Sequence, residues 1–336
     1  MGEAVVDRRY LHVANGTSVT MTLEAAGVPG LMSIWADPLH DGPVPAGLSD
    51  DELREVRGGH LAGDAPPDPI NDMQRWRQVI ADHESYDELV LWFEHDLFDQ
   101  LNLLQLLTWI RAHVPLDKPV TLICVGSFPG YPAFKGLGEL QPADLASLLD
   151  SRRPVSAEAY ALAERGWLAF RDPTPEALDH LRRSDTTAMP FLASAIERFL
   201  QEYPWTRDGL SRTERRLLQI AESGPAVMHG VFPRMHDDEK AYYVADLELK
   251  GLVETLSRTS PPLIAFTPGA NDSGKFWRGT VTATDEGREV LAGRRDRVAC
   301  GIDKWLGGVH LQSKAGNVWR WDDERGRVVR GSVVQM

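Results

Sequence analysis

The chain has 336 residues, of which 43% are hydrophobic and 25% charged, so it is long enough for two globular domains and too apolar to be disordered. No apolar run approaches the roughly 18 residues of a membrane-spanning helix, so we expect no membrane span. The net charge of −13 divides into −15 for residues 1–210 and +2 for residues 211–336, so the acidic first part repels nucleic acid in bulk.

Strands and helices alternate over residues 1–140, which predicts an α/β ligand-binding domain with a mostly parallel, Rossmann-like sheet. The clearest strand is ELVLWF at 88–93, because a continuous apolar run suits a sheet that is covered on both faces. A proline-rich break is expected at 65–69. The predicted strands are 10–14, 31–35, 88–93 and 120–125, and the predicted helices are 19–26, 49–57, 70–83 and 101–110.

Residues 141–205 predict a helical extension, and residues 206–336 predict a winged-helix-like α+β domain. Ser211 followed by Glu214 is a capping box that begins the first helix of this domain. Three helices followed by a β-ribbon are typical of a winged helix. The helices of the extension are expected at 142–150, 156–170 and 175–203. Those of the last domain are expected near 211, at 227–232, 237–251 and 288–291, with strands at 252–256, 263–266 and 279–283.

The first polar segment that could carry a function follows the first strand and comprises Asn15, Gly16, Thr17 and Ser18. Free N–H groups and the helix dipole favour an anion at a helix N-terminus, and Gly16 allows a ligand to approach closely. The segment is not a P-loop, because the lysine and the spacing are absent. The alternative is a plain helix cap with a tight turn.

The second polar segment, residues 37–43, is a turn stiffened by prolines that carries Asp37, His40 and Asp41. A histidine and carboxylates within a few residues could bind a metal or act as acid and base. The alternative is a turn with an incidental histidine. Arginines that could bind an anionic substrate, or else form surface ion pairs, are Arg57, Arg152 and Arg153.

The third polar segment comes directly after the clearest strand and holds Glu94, His95, Asp96, Asp99 and Gln100. Ionisable groups at the end of a buried strand are costly to place there without a use, which favours a functional site. The alternative is that Asp96 only caps the next helix and that His95 only binds a backbone carbonyl. No recognised hydrolase or metal motif is present.

The last domain allows a different function, because a winged helix places its third helix in a DNA groove. That helix is expected to begin with the acidic residues 236–240, which repel phosphates. Basic residues interleaved with tryptophans could bind single strands, although we favour the alternative that the tryptophans pack the domain. These residues are Arg294, Arg295, Arg297, Lys304, Trp305, Lys314, Trp319, Arg320 and Trp321.

The same segments resemble a family of bacterial proteins named domain of unknown function 1835 (DUF1835). The resemblance extends from about residue 10 to residue 321 and implies no established activity, because the family is named for lacking one. Thr17 departs from the Gly-Asp-Ser of many relatives, which puts a carboxylate role at that position in doubt. The matching blocks are LHVANGTS (11–18), DPLHDGPV (37–44), LVLWFEHDLFDQLNLLQLL (89–107), GLSRTERRLL (209–218) and GIDKWLGGVHL (301–311).

The sequence therefore predicts a protein that binds a small anionic or nucleotide-like ligand, with hydrolysis as the reaction class and a divalent metal as a cofactor to be considered. Glu94, His95, Asp96 and His40 are the candidate catalytic residues. The rival hypotheses are a ligand-responsive regulator whose winged helix binds DNA or a partner protein, and a pure interaction module. All site predictions require the three polar segments to meet at one edge of the sheet.

A cytoplasmic location is expected for two reasons. The two cysteines, Cys124 and Cys300, cannot form a disulfide framework, and Cys124 lies in an apolar run that suits a reduced thiol. Residues 1–10 have no apolar segment of the kind found in signal peptides. The sequence does not predict an oligomeric state.

Overall fold

A computed structural model describes residues 8–62, 68–270 and 274–332 of the chain. The expectation for a signal peptide concerned residues 1–10, most of which lie outside the described residues. Most of the proline-rich break expected at 65–69 lies outside them as well. None of the described helices is both long and apolar enough to cross a membrane.

The described residues form thirteen strands and twelve α-helices. The strands are β1 (Tyr10–Ala14), β2 (Leu31–Ile34), β3 (Gly42–Pro43), β4 (Glu88–Glu94), β5 (Val120–Val125), β6 (Arg153–Pro154), β7 (Ala226–Val227), β8 (Ile264–Thr267), β9 (Thr280–Ala283), β10 (Asp303–Gly307), β11 (Val309–Gln312), β12 (Asn317–Asp322) and β13 (Arg327–Ser332). The helices are α1 (Thr17–Ala25), α2 (Asp50–Leu61), α3 (Pro69–Ala81), α4 (Leu97–His113), α5 (Pro142–Ser147), α6 (Ala157–Arg171), α7 (Glu176–Arg182), α8 (Leu192–Leu200), α9 (Arg212–Glu222), α10 (Met228–Met235), α11 (Asp246–Ser257) and α12 (Asp285–Leu291).

A five-stranded sheet with the order β2-β1-β4-β5-β6 confirms the predicted α/β class. The first four strands are parallel, and β6 is antiparallel to β5. All seven residues of β4 are buried, as its continuous apolar sequence predicts. The chain leaves β1 towards β2 on one side and reaches β4 on the other. The strand order therefore reverses between β1 and β4, which is where ligands bind in open α/β sheets.

Helix α4 follows β4 and is apolar on nearly all sides, so it is buried along most of its length. Asp96 is its N-cap and accepts a hydrogen bond from the Asp99 N–H at 2.9 Å. The helix packs against α6 and α8 of the helical extension.

The single helix predicted at 175–203 is wrong, because the chain forms α7 and α8 with a turn between them. In this turn the Asp185 carboxylate accepts hydrogen bonds from the N–H and hydroxyl groups of Thr187. Pro190 follows, and a proline disfavours the helical conformation of the residue before it.

Residues 210–300 build a second hydrophobic core from α9 to α12 and a three-stranded antiparallel sheet with the order β7-β9-β8. The predicted capping box of Ser211 and Glu214 is present at the start of α9. The helix predicted at 237–251 and the strand predicted at 252–256 are wrong in their bounds and type, respectively. Helix α11 begins only at Asp246 and continues through 252–256 to Ser257. Buried loop residues before α11, such as Val244, extended the apolar pattern beyond the helix.

The last strands return to the core of the first part of the chain. Leu306 of β10 pairs with Gly42 of β3 in parallel, and the predicted 206–336 segment thus contributes to both cores. Trp319 and Trp321 of β12 are buried in the first core, which agrees with the packing alternative for these tryptophans. Arg320 between them pairs with Asp296.

Candidate functional site

A cavity of about 310 Å³ lies at the carboxyl ends of β1 and β4, where the strand order reverses. Two of the three predicted polar segments meet there, because parallel strands bring their following loops to one edge of the sheet. The loop after β5 and one residue of the second core complete the wall. The lining includes Asn15, Gly16, Ser18, Glu94, Asp96, Lys135, Gly136, Glu139 and Tyr243.

Three carboxylates form a compact cluster at this cavity, and we call it the acidic trio: Glu94 and Asp96, which line the cavity, and the buried Asp99, which does not. One oxygen atom of each lies within 4.8 Å of those of the other two. The Asn15 side-chain amide donates to Glu94 Oε1 and to Asp99 Oδ2, both at 2.9 Å. The Leu137 N–H also donates to Glu94 Oε1, at 2.6 Å. The trio is thus held in place by neutral donors.

Burial and mutual repulsion disfavour the charged forms of the trio. Burial raises the pKa of Glu94 to about 8, the charge of Asp96 adds to this, and the hydrogen bonds from Asn15 and Leu137 oppose it. Burial, followed by the charges of Glu94 and Asp96, raises the pKa of Asp99 well above its ordinary value. The Asp99 Oδ1 atom is buried and has no hydrogen-bond partner among the described residues.

Glu94 and Asp99 differ from the other buried carboxylates, because neither forms an ion pair with a cationic side chain among the described residues. Eight aspartates and glutamates are buried among the described residues, and six of them pair with arginine. Glu94 and Asp99 are the two without such a pair. The six pairs are Asp37 with Arg57, Glu88 with Arg8 and Arg152, Asp179 with Arg182 and Arg183, Asp208 with Arg215, Glu214 with Arg297, and Asp322 with Arg325.

The start of α1 at this cavity suits an anion. Helix α1 begins there, its N-cap is Gly16, and no side chain caps its first N–H groups. These groups have no partner within the helix, and they carry the positive end of its dipole. The exposed Ser18 and Lys135 both line the cavity, and the Lys135 ammonium is 6.0 Å from the centre of the Tyr243 ring.

The second predicted segment lies outside the cavity lining and has a structural role. Asp37 forms a buried ion pair with Arg57, with contacts of 2.6 to 3.1 Å. Arg57 also donates to the Asp41 backbone carbonyl, and it is fully buried. Arg57 is thus engaged in structural contacts and lies outside the cavity lining. The Asp41 carboxylate contacts His60, while His40 pairs with Glu248 of the second core.

Other predicted residues surround the cavity without lining it. The His95 ring packs near the rings of Phe134, Phe191 and Tyr243, and its buried Nδ1 has no partner among the described residues. Gln100 donates to the Glu94 backbone carbonyl at 2.7 Å, so it positions the end of β4. The predicted substrate arginines are also accounted for: Arg152 pairs with Glu88 at the other end of that strand, and Arg153 is exposed on β6.

The sequence interpretation missed Lys135, Gly136, Glu139 and Tyr243. The first three follow β5, a parallel strand whose carboxyl end points to the same edge of the sheet, so the strand order could have identified them. Tyr243 lies between α10 and α11 of the second core. No local signal connects it with a loop of the first sheet.

Comparisons with known proteins add nothing to this geometry. No model of a protein family matches the chain, and no curated protein matches it either. The resemblance to the DUF1835 family therefore stays a prediction, and the site is interpreted from its own atoms.

Proposed function

We propose that the chain binds a small anionic ligand of the phosphate or nucleotide class in the cavity between β1 and β4. The observation that carries this proposal is the uncapped N-terminus of α1, whose N-cap Gly16 lines the cavity. Backbone N–H groups at a helix N-terminus bind phosphate groups in many α/β proteins. Ser18 and Lys135 add a hydroxyl and a positive charge to the same wall.

We propose hydrolysis as the reaction of this site, in line with the sequence prediction. Water would attack the phosphorus atom of a bound phosphoester, and the bond to the ester oxygen would break. The proton of the water would pass to a carboxylate of the cavity and then to the leaving oxygen. Glu94 and Asp96 support this proposal, because they line the same cavity as the N-terminus of α1.

The binding proposal is tested with Gly16→Asp. A Cβ at Gly16 meets no atom within 4 Å, and the residue has an extended backbone with φ 176°, so an aspartate fits there. Its carboxylate would cap α1 and occupy the N–H groups that we assign to the ligand. We expect binding of inorganic phosphate and of AMP, measured by calorimetry in magnesium buffer, to fall at least about tenfold, which corresponds to about 1.4 kcal/mol.

Gly59→Asp is the matched control, because it adds the same charge at an exposed site on α2 where a Cβ also meets no atom. We expect this variant to bind phosphate and AMP as the unaltered chain does. Equal affinity of Gly16→Asp and Gly59→Asp would contradict the proposed site. Failure of the unaltered chain to bind either compound would contradict the proposed function.

A second candidate function is a ligand-responsive regulator. We propose that α9, α10 and α11 with β7, β8 and β9 form a winged helix, supported by their order along the chain and by their small antiparallel sheet. Tyr243 of this segment lines the cavity, so a bound ligand would contact both parts of the chain. DNA is the less favoured partner, because α11 begins with Asp246 and Glu248 and the latter is paired with His40.

The regulator hypothesis is tested on a heparin or DNA column at several salt concentrations. Retention that weakens as the salt concentration rises would support nucleic-acid binding, since phosphate contacts release counterions. Elution in the flow-through at low salt, with and without phosphate, would contradict it.

A further inference from the structure

We infer that the acidic trio holds a divalent cation, magnesium or manganese, beside the cavity that is also lined by the N-terminus of α1. The use of this cation rests on the proposed function, but its presence can be tested with the metal alone. Three observations carry the inference: the missing countercharge, the unpartnered oxygen of Asp99 and the spacing of the three carboxylates.

The missing countercharge is the first observation. Buried carboxylates need a partner that offsets the loss of water, and arginine is that partner for six of the eight buried aspartates and glutamates in the part of the chain that the structure describes. Glu94 and Asp99 receive hydrogen bonds from neutral groups only. A bound cation would supply the positive charge that the side chains around them do not provide.

The unpartnered oxygen is the second observation. Asp99 is 1% exposed, and its Oδ2 accepts a hydrogen bond from Asn15 while its Oδ1 has no partner among the described residues. A buried carboxylate oxygen without a donor costs free energy, so such atoms call for a specific explanation. Metal coordination satisfies this oxygen directly.

The spacing of the trio is the third observation. Two oxygen atoms on opposite sides of a magnesium or calcium ion lie about 4 to 5 Å apart, since each is about 2.1 to 2.5 Å from the ion. One oxygen of each member of the trio lies within 4.8 Å of the others. An ion among them would need only small side-chain movements.

The chemistry of the trio selects the class of ion. All three members offer oxygen, and hard cations prefer carboxylate oxygen, whereas zinc and copper favour nitrogen and sulfur. Magnesium is commonly held by one or two carboxylates together with substrate phosphates. Glu94, Asp96 and the N-terminus of α1 line one cavity of about 310 Å³, so a cation held by the trio would lie close to the bound anion.

The test is a titration of metal-free protein with Mn²⁺ in the absence of phosphate. Binding is measured by calorimetry and by the loss of the electron paramagnetic resonance signal of free Mn²⁺. We expect one Mn²⁺ per chain. We expect Asp99→Asn to weaken its affinity at least about tenfold, because it removes a charge and a ligand atom with little change in shape. Glu94→Gln provides a second variant, and circular dichroism checks that both fold.

Glu84→Gln is the control, because Glu84 is an exposed acid between α3 and β4. We expect it to bind Mn²⁺ with unchanged affinity. Folded Asp99→Asn and Glu94→Gln proteins that both retain the original affinity would overturn the inference. Phosphate binding in magnesium buffer without binding of Mn²⁺ alone would overturn the inference and leave the proposed function standing. Binding of Mn²⁺ alone without phosphate binding would support the inference and contradict the proposed function.

Discussion

At the scale of single residues, the same carboxylate chemistry has different consequences according to its neighbours. Asp37 and Glu94 are both buried near the ends of parallel strands. The guanidinium of Arg57 forms three contacts with the Asp37 carboxylate, so this pair is complete and stabilises the loop between β2 and α2. Glu94 has only neutral donors and faces a cavity. The first is a structural group and the second a candidate ligand.

Arg57→Met should destabilise the fold by about 3 to 5 kcal/mol, because it leaves the buried Asp37 charge without its partner. Urea unfolding followed by tryptophan fluorescence measures this change. The double variant Asp37→Asn with Arg57→Met should recover part of the loss, since both charges are then absent. If Arg57→Met retained its stability and lost phosphate binding, our structural assignment of Arg57 would be wrong.

At the scale of elements, the loop after β5 determines where the Glu94 carboxylate lies. Gly136 lies so close to this side chain that a Cβ on it would be 2.1 Å from Glu94 Oε2. The backbone there is extended with φ 169°, so the glycine is needed for space and not for conformation. The next residue, Leu137, donates its N–H to Glu94 Oε1. The loop therefore both supports and confines the carboxylate.

Gly136→Ala should displace the Glu94 carboxylate and reduce Mn²⁺ affinity about tenfold or more, while the protein remains folded. Gly138→Ala is the matched comparison, because its Cβ would meet only Ser18 Oγ, at an ordinary 3.5 Å. Calorimetry with Mn²⁺ and circular dichroism on both variants check this prediction. Equal affinities of the two variants would show that the loop does not position Glu94.

The elements that the sequence predicted well are those with local signals. The ELVLWF run and the Ser211–Glu214 capping box depend on neighbouring residues, and both appear as expected. Asp96 caps α4, which was the alternative to a functional role, and α4 begins at Leu97, before the predicted range of 101–110. The start of α11 was misplaced, because Tyr242 and Val244 precede the helix in a loop and still pack into the second core. Their hydrophobic side chains therefore resembled a continuation of the helical pattern. Strands β10 to β13 were not predicted. Strand β10, for example, pairs with β3, which is more than 250 residues earlier in the chain, so no local pattern indicates this pairing.

At the scale of the whole molecule, the two cores meet beside the cavity. His40 of the first part pairs with Glu248 of α11, and the Tyr242 ring lies 5.1 Å from the His40 ring. The Leu97 N–H at the start of α4 donates to the Ala241 carbonyl at 2.7 Å. The functional role predicted for His40 rested on its nearness in sequence to Asp37, whereas its actual partner is 208 residues away. Such long-range contacts cannot be deduced from local patterns.

The His40–Glu248 pair should make stability depend on pH. Burial lowers the pKa of His40, but Glu248 more than offsets this and leaves the pKa above its ordinary 6.5. Burial raises the pKa of Glu248, but His40 reverses this and leaves the pKa below its ordinary 4.5. The contribution of His40 is complete below pH 6.5 and is lost as the pH rises through its raised pKa. The contribution of Glu248 is complete above pH 4.5 and is lost as the pH falls through its lowered pKa.

We therefore expect Glu248→Gln to lower the free energy of unfolding by about 2 kcal/mol between pH 4.5 and pH 6.5 and by less at higher pH. Urea unfolding at a series of pH values measures the difference. Asp246→Asn, an exposed change in the first turn of the same helix, should show no such dependence. A constant difference across the pH range would contradict the assignment of this pair.

The connections into and out of the second core lie side by side. The Arg297 N–H donates to the Asp208 carbonyl at 2.7 Å, and Gly209 is packed against the backbone of Val298. A segment whose two ends meet in this way has the topology of an inserted domain, and the five-stranded sheet contains no strand of this segment. In evolutionary terms, gaining such an insert would add Tyr243 to an existing pocket in a single event. The ligand preference of the host could then change without any substitution in its own strands.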